Sequence, residues 1–198
     1  MLIRRSREDG KSAHVRGRRG RYTWGNATSL WHRVRVGLAV EVAGAGDAAA
    51  ILGLRHVIED WLAEQRIRQW ERGEVKLSDV RGQIAAGQWH LVRDRRVGVA
   101  AALRVLDLDP FWGPDATAAV YVHGLMVHRA VAGRGVGHEL LDWAGDRGRN
   151  RGAVVLRLDC VESNTRLRAY YRAHGFVEVG CHQPPEPCPA VTLLQRAL

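Results

Sequence analysis

The stretch Val122 to Leu141 reads V-H-G-L-M-V-H-R-A-V-A-G-R-G-V-G-H-E-L-L, and its hydrophobic period changes halfway along. From about Tyr121 to His128 the residue types alternate as in a strand buried on at least one face. From Gly135 onward Val136, Leu140, Leu141 and Ala144 recur at helical spacing, so a strand runs into a helix through the turn Gly133-Arg134-Gly135-Val136-Gly137. Glycines allow positive φ and close approach of a ligand to the backbone, while the first amides of a helix have no partner within it. The partial positive charge of the helix N-terminus and the side chain of Arg134 suit a phosphate or pyrophosphate. A tight turn with glycines for steric reasons alone stays open as the alternative.

Other nucleotide motifs are excluded by their own requirements. No G-K-[ST] follows, so the turn is not a P-loop. The spacing G-x-G-x-G misses the dinucleotide fingerprint, and the strand lies past the middle of the chain. The residues Ala132-Gly133-Arg134-Gly135-Val136-Gly137 do resemble the Q/R-x-x-G-x-G/A motif of the GNAT superfamily of N-acetyltransferases. Ala132 departs from the usual Gln or Arg, which removes a side-chain contact and leaves the amides. Further on, Asn164, Tyr171, Gly175 and Phe176 resemble the family's N-x(6)-Y-x(3)-G-F segment. The resemblance runs from about Val36 to the C-terminus.

It implies an α/β fold with a mixed, mostly antiparallel sheet of about seven strands and about four helices. The expected elements are a strand at Val36 to Val42 and a helix from the cap Asp47 to about Gln65. A second helix is expected from the cap Ser78 to Ala86 with Gly87 as its stop, after a bent or short helical connection over Arg66 to Lys76. Strands at Trp89 to Arg93 and Val97 to Leu108 form a hairpin, and Asp107 to Asp115 is a loop broken by Pro110 and Pro114. After strand four comes a helix to about Arg147 with Gly148 as its stop. A strand at Ala153 to Asp159, a helix from Ser163 or Asn164 to Gly175, and strands at Phe176 to Gly180 and Val191 to Gln195 complete the order. Helices are expected on both faces.

Chain length suits one domain, residues 36–198, preceded by a basic extension over residues 1–35. That extension carries ten Lys and Arg against Glu8 and Asp9, so it holds nearly all of the net charge of +9. It is expected to be disordered. Three readings of it stay open: an arm for nucleic acid or an anionic surface, a targeting peptide, or an extension without a role. With 28 arginines against Lys11 and Lys76, base composition favours the last. No apolar run is long enough for a membrane span, and a cytoplasmic protein is expected. Cys160, Cys181 and Cys188 form no C-x-x-C pair, and the histidines show no metal-binding spacing, so neither a disulfide framework nor a metal is expected.

The resemblance implies acetyl-CoA as co-substrate and acetyl transfer to a primary amine by direct attack on the thioester. Gly133 to Gly137 with His138 would take the pyrophosphate, and the backbone of Leu125, Met126 and Val127 the pantetheine arm. Asn164 and Tyr171, seven apart on one helix face, would line the same channel, with Tyr171 serving the leaving thiolate. At pH 7 deprotonating an alkylamine costs about 4.6 kcal/mol, which a base or an apolar site must offset. His123 is the candidate base, in a segment similar to the H-A-L-A-V-H-R stretch of arylalkylamine N-acetyltransferases. It is expected on one strand face with Tyr121, Leu125 and Val127. A structural histidine, with a water chain moving the proton, stays open. Trp61, Asp109, Phe111 and Trp112 are the candidate acceptor contacts, with Asp107 and Asp115 available to a cationic amine. The expected acceptor is a small amine bound by a monomer or homodimer. A protein or peptide acceptor is the alternative within the enzyme class. A CoA-sensing or nucleic-acid-binding module working through the basic extension is the alternative outside it.

Overall fold

The structure is a computed structural model and describes residues 38–185 and 188–198. The expected basic extension and the middle of the loop before the last strand lie outside these residues. In chain order the elements are β1 (Val40–Val42), α1 (Ala48–Glu64), α2 (Leu77–Ala85), β2 (Trp89–Asp94), β3 (Gly98–Leu106), β4 (Ala119–Val127), α3 (Val136–Arg149), β5 (Val155–Val161), α4 (Thr165–Ala173), β6 (Val177–His182) and β7 (Val191–Ala197). Single-turn helices at Pro110–Trp112 and Arg129–Val131 flank β4.

Alternating apolar residues place the strands in one sheet ordered β1-β2-β3-β4-β5-β7-β6, antiparallel except where β4 meets β5. One face packs α1 and α2 through Ile51, Leu54, Ile58, Val80 and Ile84 against Leu91, Ala102 and Met126. The other packs Leu140, Leu141 and Ala144 of α3 with Tyr171 of α4 against Leu103, Val120, Leu156 and Leu194. Each buried leucine or isoleucine contributes about 1.5–3 kcal/mol relative to exposure, which is why the two apolar layers decide the topology.

Several expected boundaries move. Lys76, not Ser78, caps α2, because the Asp79 carboxylate accepts from the Lys76 amide at 2.8 Å and closes the first turn. Residues 66–76 form turns and bends without a helix. Asp47 precedes α1 without capping it through its side chain, and instead accepts from the Gly44 amide and the Arg93 guanidinium. Gly148 does not stop α3, which runs to Arg149. A Cβ at Gly148 would stand 2.4 Å from Val120 Cγ1, so this glycine lets the helix lie close on β4.

The largest departure is inside β4. Ala102 pairs with Met126 and Arg104 with His123, so Leu103 alone faces both Gly124 and Leu125. This bulge, with Gly124 at φ 56, reverses the strand's alternation. Val120 and Val122 before it, and Leu125 and Val127 after it, all face the α3 side. Met126 faces the α1 side. His123 therefore does not share a face with Leu125 and Val127, as simple alternation predicts.

Candidate active site

The bulge coincides with an opening in the sheet. β4 and β5 pair only from Ala119 and Val155 to Val122 and Leu158. Beyond that point β4 stays paired with β3 to Val127, and β5 with β7 to Val161. The space between the diverging strands is a cavity of about 630 Å³, lined by residues of α1, β4, β5, α4 and the loop after α1. Leu125, Met126 and Val127 border it, and the Met126 side chain is sunk in the α1 core, leaving its backbone as the available part.

At one end lies the glycine turn. Ala132 and Gly133 line the cavity, while Arg134, Gly135, Val136 and Gly137 lie outside its lining. Gly135 precedes α3 in the left-handed region at φ 86, and the Glu139 amide makes the helix's first turn by donating to the Gly135 carbonyl at 3.0 Å. The amides of Val136, Gly137 and His138 come before that bond and are free for an anion by helix geometry. A Cβ at Gly137 would meet Tyr170 Oη at 3.1 Å, so the α4 tyrosine closes over the turn. The His138 side chain is absent from the cavity lining. It packs on His174 at 4.4 Å and lies 3.4 Å from Asp142, and burial holds its imidazole below the ordinary range.

α4 forms one wall. Asn164 caps it, its Oδ1 accepting from the Leu167 amide at 3.1 Å while its Nδ2 donates to Gln69 Oε1. Both ends of the side chain are thus used in holding α4 and the loop after α1 together, although the residue still borders the cavity. Tyr171 is buried, packs edge-on against Tyr170 and Phe176, and lines the cavity. Burial pushes its phenol well above the ordinary tyrosine range, so it stays protonated. Cys160 also lines the cavity, and burial pushes its thiol up to about 12. A thiol so held is a poor nucleophile.

At the other end His123 sits between two carboxylates. Its Nε2 donates to Asp109 Oδ2 at 2.9 Å, and its Nδ1 stands 3.6 Å from Asp159 Oδ1. The Nε2 bond leaves the Nδ1 lone pair unused in the neutral ring. Asp109 is itself buried. Burial raises its pKa, but the bonds from His123 and the Phe111 amide outweigh that and hold it below the ordinary range. Asp159 is raised, chiefly by burial. Sequence reasoning passed over Asp159, although Arg157 and Asp159 alternate with Leu156, Leu158 and Cys160 along β5 and so must face away from that core. Their ligand atoms, together within 4.8 Å, make Asp109, His123 and Asp159 a group able to hold a metal ion, which no residue spacing foretold.

The other expected acceptor contacts divide. Trp61 lines the cavity with Arg129 stacked on it at 4.0 Å. Phe111 and Trp112 do not line it. Phe111 stacks on His182 at 4.5 Å, and Trp112 lies under Arg157 at 4.5 Å. Asp107 is paired with Arg151 at 2.9 Å and Asp115 with Arg157, so neither carboxylate is free for an amine.

Residues 55–176 match the acetyltransferase (GNAT) family. That span is more than half of the chain and defines the class, an acyltransferase drawing on acetyl-CoA. The chain belongs to the GNAT family. It is 31% identical over 144 residues to the uncharacterized N-acetyltransferase YesJ of Bacillus subtilis (strain 168), covering 68% of this chain and 78% of that one. Among solved structures, a GNAT-family acetyltransferase from Listeria monocytogenes is 25% identical, with a TM-score of 0.67 over 81% of this chain and 95% of that one. YncA of Salmonella typhimurium, solved with its cofactor acetyl-CoA, shares the fold at 19% identity and a TM-score of 0.59, over 81% and 94% of the two chains.

Proposed function

We propose that the chain transfers the acetyl group of acetyl-CoA to a small-molecule primary amine in a single displacement inside the cavity between β4 and β5. The observation that carries this reading is the cavity itself. It has a glycine turn and helix N-terminus at one end, an unpaired strand edge along its side, and a histidine between two carboxylates at the other.

The free amides around Gly133 to His138, with Arg134 exposed beside them, take the pyrophosphate. The edge of Leu125, Met126 and Val127 pairs with the pantetheine amides in place of the departing β5. This sets the thioester near Tyr171 and beyond it the bulge. The amine nitrogen gives up a proton to His123 Nδ1, held in that tautomer by Asp109, and its lone pair attacks the thioester carbonyl carbon. The C–N bond forms, the C–S bond breaks with its electrons on sulfur, and the Tyr171 hydroxyl gives its proton to the developing thiolate while the second proton lost by the nitrogen restores the phenol. Holding the two reactants together supplies much of the rate, as in any intramolecular reaction. Cys160 takes no part, because its thiol stays protonated. Asp109, His123 and Asp159 act on protons and charge, so a chelator leaves turnover unchanged.

Thiol release from acetyl-CoA across arylalkylamines, amino acids, polyamines, aminoglycosides and peptides tests the proposal. Turnover confined to small amines is expected, and turnover confined to peptides would replace it with a protein acceptor.

A further inference from the structure

Beside the main cavity, on the α1 side of the bulge, lies a smaller one of about 160 Å³ that shares Trp70, His123 and Gly124 with it. The two spaces therefore meet at the candidate base. The rest of the smaller cavity is apolar, with Ile51, Val75, Val80 and Trp89, except for Gln83 and two arginines.

The arginines differ in one respect. Arg55 is neutralised by Glu59 at 2.6 Å and Glu74 at 2.9 Å, and lies flat on Trp70 at 3.8 Å. Arg104 has no carboxylate within ion-pair distance among the described residues. Its Nε and Nη2 donate to Gln88 Oε1 at 3.2 and 2.7 Å, a neutral partner, and Nη1 has no bond to any described residue. Asp109 acts on it only through space, with its own oxygens already taken by His123 and the Phe111 amide. A half-buried guanidinium with one unbonded nitrogen and no carboxylate paired with it is an anion site by its chemistry.

Its position says which anion. Arg104 and His123 are cross-strand partners on β3 and β4. Side chains so paired share a face, with Cβ atoms about 5 Å apart. On the far side of His123 stands Asp159, a carboxylate that burial has destabilised and that a neighbouring cation would relieve. The base thus has a negative group on one side, on β5, and a positive one without an ion-pair partner on the other, on β3, and these charges match the amino and carboxyl groups of one small molecule.

Resting on the proposed acetyl transfer, we infer that the acceptor is an α-amino acid with an apolar side chain, its carboxylate on Arg104, its amino group between His123 and Asp159, and its side chain among Trp70, Trp89 and Ile51. The carboxylate forms charge-assisted bonds to Nη1, which needs no rearrangement of the Gln88 contact. An amine without the carboxylate leaves Arg104 uncompensated and forfeits that interaction in ground and transition state alike.

The test compares kcat/KM for each amino acid and its decarboxylated amine, phenylalanine with phenethylamine and methionine with 3-methylthiopropylamine, in the wild-type chain, Arg104→Gln and Arg104→Lys. We expect the acids to be preferred tenfold or more by the wild type. That ratio should fall tenfold or more in Arg104→Gln and recover in part in Arg104→Lys, while calorimetric binding of acetyl-CoA shows that both variants fold. Equal or better use of the decarboxylated amines by the wild type, or a preference that survives Arg104→Gln, overturns the inference while leaving acetyl transfer intact. If no amine turns over, the failure is that of the proposed transfer, and calorimetric titration of phenylalanine and methionine into the acetyl-CoA complex decides. Binding lost in Arg104→Gln supports the carboxylate site, and no binding to the wild type overturns it.

Discussion

Tyr171 and His123 show how burial sorts side chains of similar sequence promise. Tyr171 is enclosed, so its phenol stays protonated through any pH at which the protein works, the state that a donor to a leaving thiolate requires. Replacing Tyr171 with Phe removes one hydroxyl and keeps the ring packing against Phe176. We expect kcat to fall about 10²-fold or more, the range for loss of one proton-transfer partner. Affinity for acetyl-CoA should change less than threefold, measured by calorimetry beside steady-state kinetics. Equal loss in both would assign the residue to packing. Asn164 carries the opposite lesson. Its place in a recognisable segment suggested a ligand contact, yet its side chain spends both polar ends on the Leu167 amide and on Gln69. Side-chain bonding of this kind has no trace in residue spacing.

Elements were legible where their period is undisturbed. The order of strands and helices, the glycine turn and the helix that opens at Asn164 follow from alternation, helical spacing and capping residues. The β4 bulge did not follow, because a single extra residue changes which face each later side chain occupies and leaves no mark but Gly124, one glycine among 22. The site depends on that slip. It turns His123 toward Asp109 and Arg104 while keeping Leu125 and Val127 on the α3 side. The partners of His123 come from a loop and from β5, 14 and 36 residues away, so only the sheet's register brings them together. Gly148 was misread for a related reason, since a glycine that ends a helix and one that admits a neighbour look alike in sequence. A Cβ there would collide with Val120. Gly148→Ala should destabilise the protein by about 1–3 kcal/mol, the usual range for overpacking, seen as a lower midpoint in urea at unchanged slope. An unchanged midpoint would mean that α3 shifts freely on β4.

For the whole molecule, net charge and fold give separate information. Residues 1–35 hold most of the net charge and lie outside the described residues, whereas the family match at 55–176 and every group assigned to the site lie within the stretch expected to form the catalytic domain. No helix among the described residues is long and apolar enough to cross a membrane. What the molecule is built around is a sheet that divides: paired strands hold the two cores, and β4 and β5 part beyond Val122 and Leu158. In the proposed transfer the gap holds acetyl-CoA, without which no acceptor reacts. The most direct measurement is calorimetric titration of acetyl-CoA into the full chain and into Gly135→Val, which forces a β-branched side chain onto the positive-φ residue at the head of α3. The account predicts one site per chain, weakened tenfold or more in the variant while circular dichroism stays unchanged. Absence of binding to the wild-type chain would contradict it.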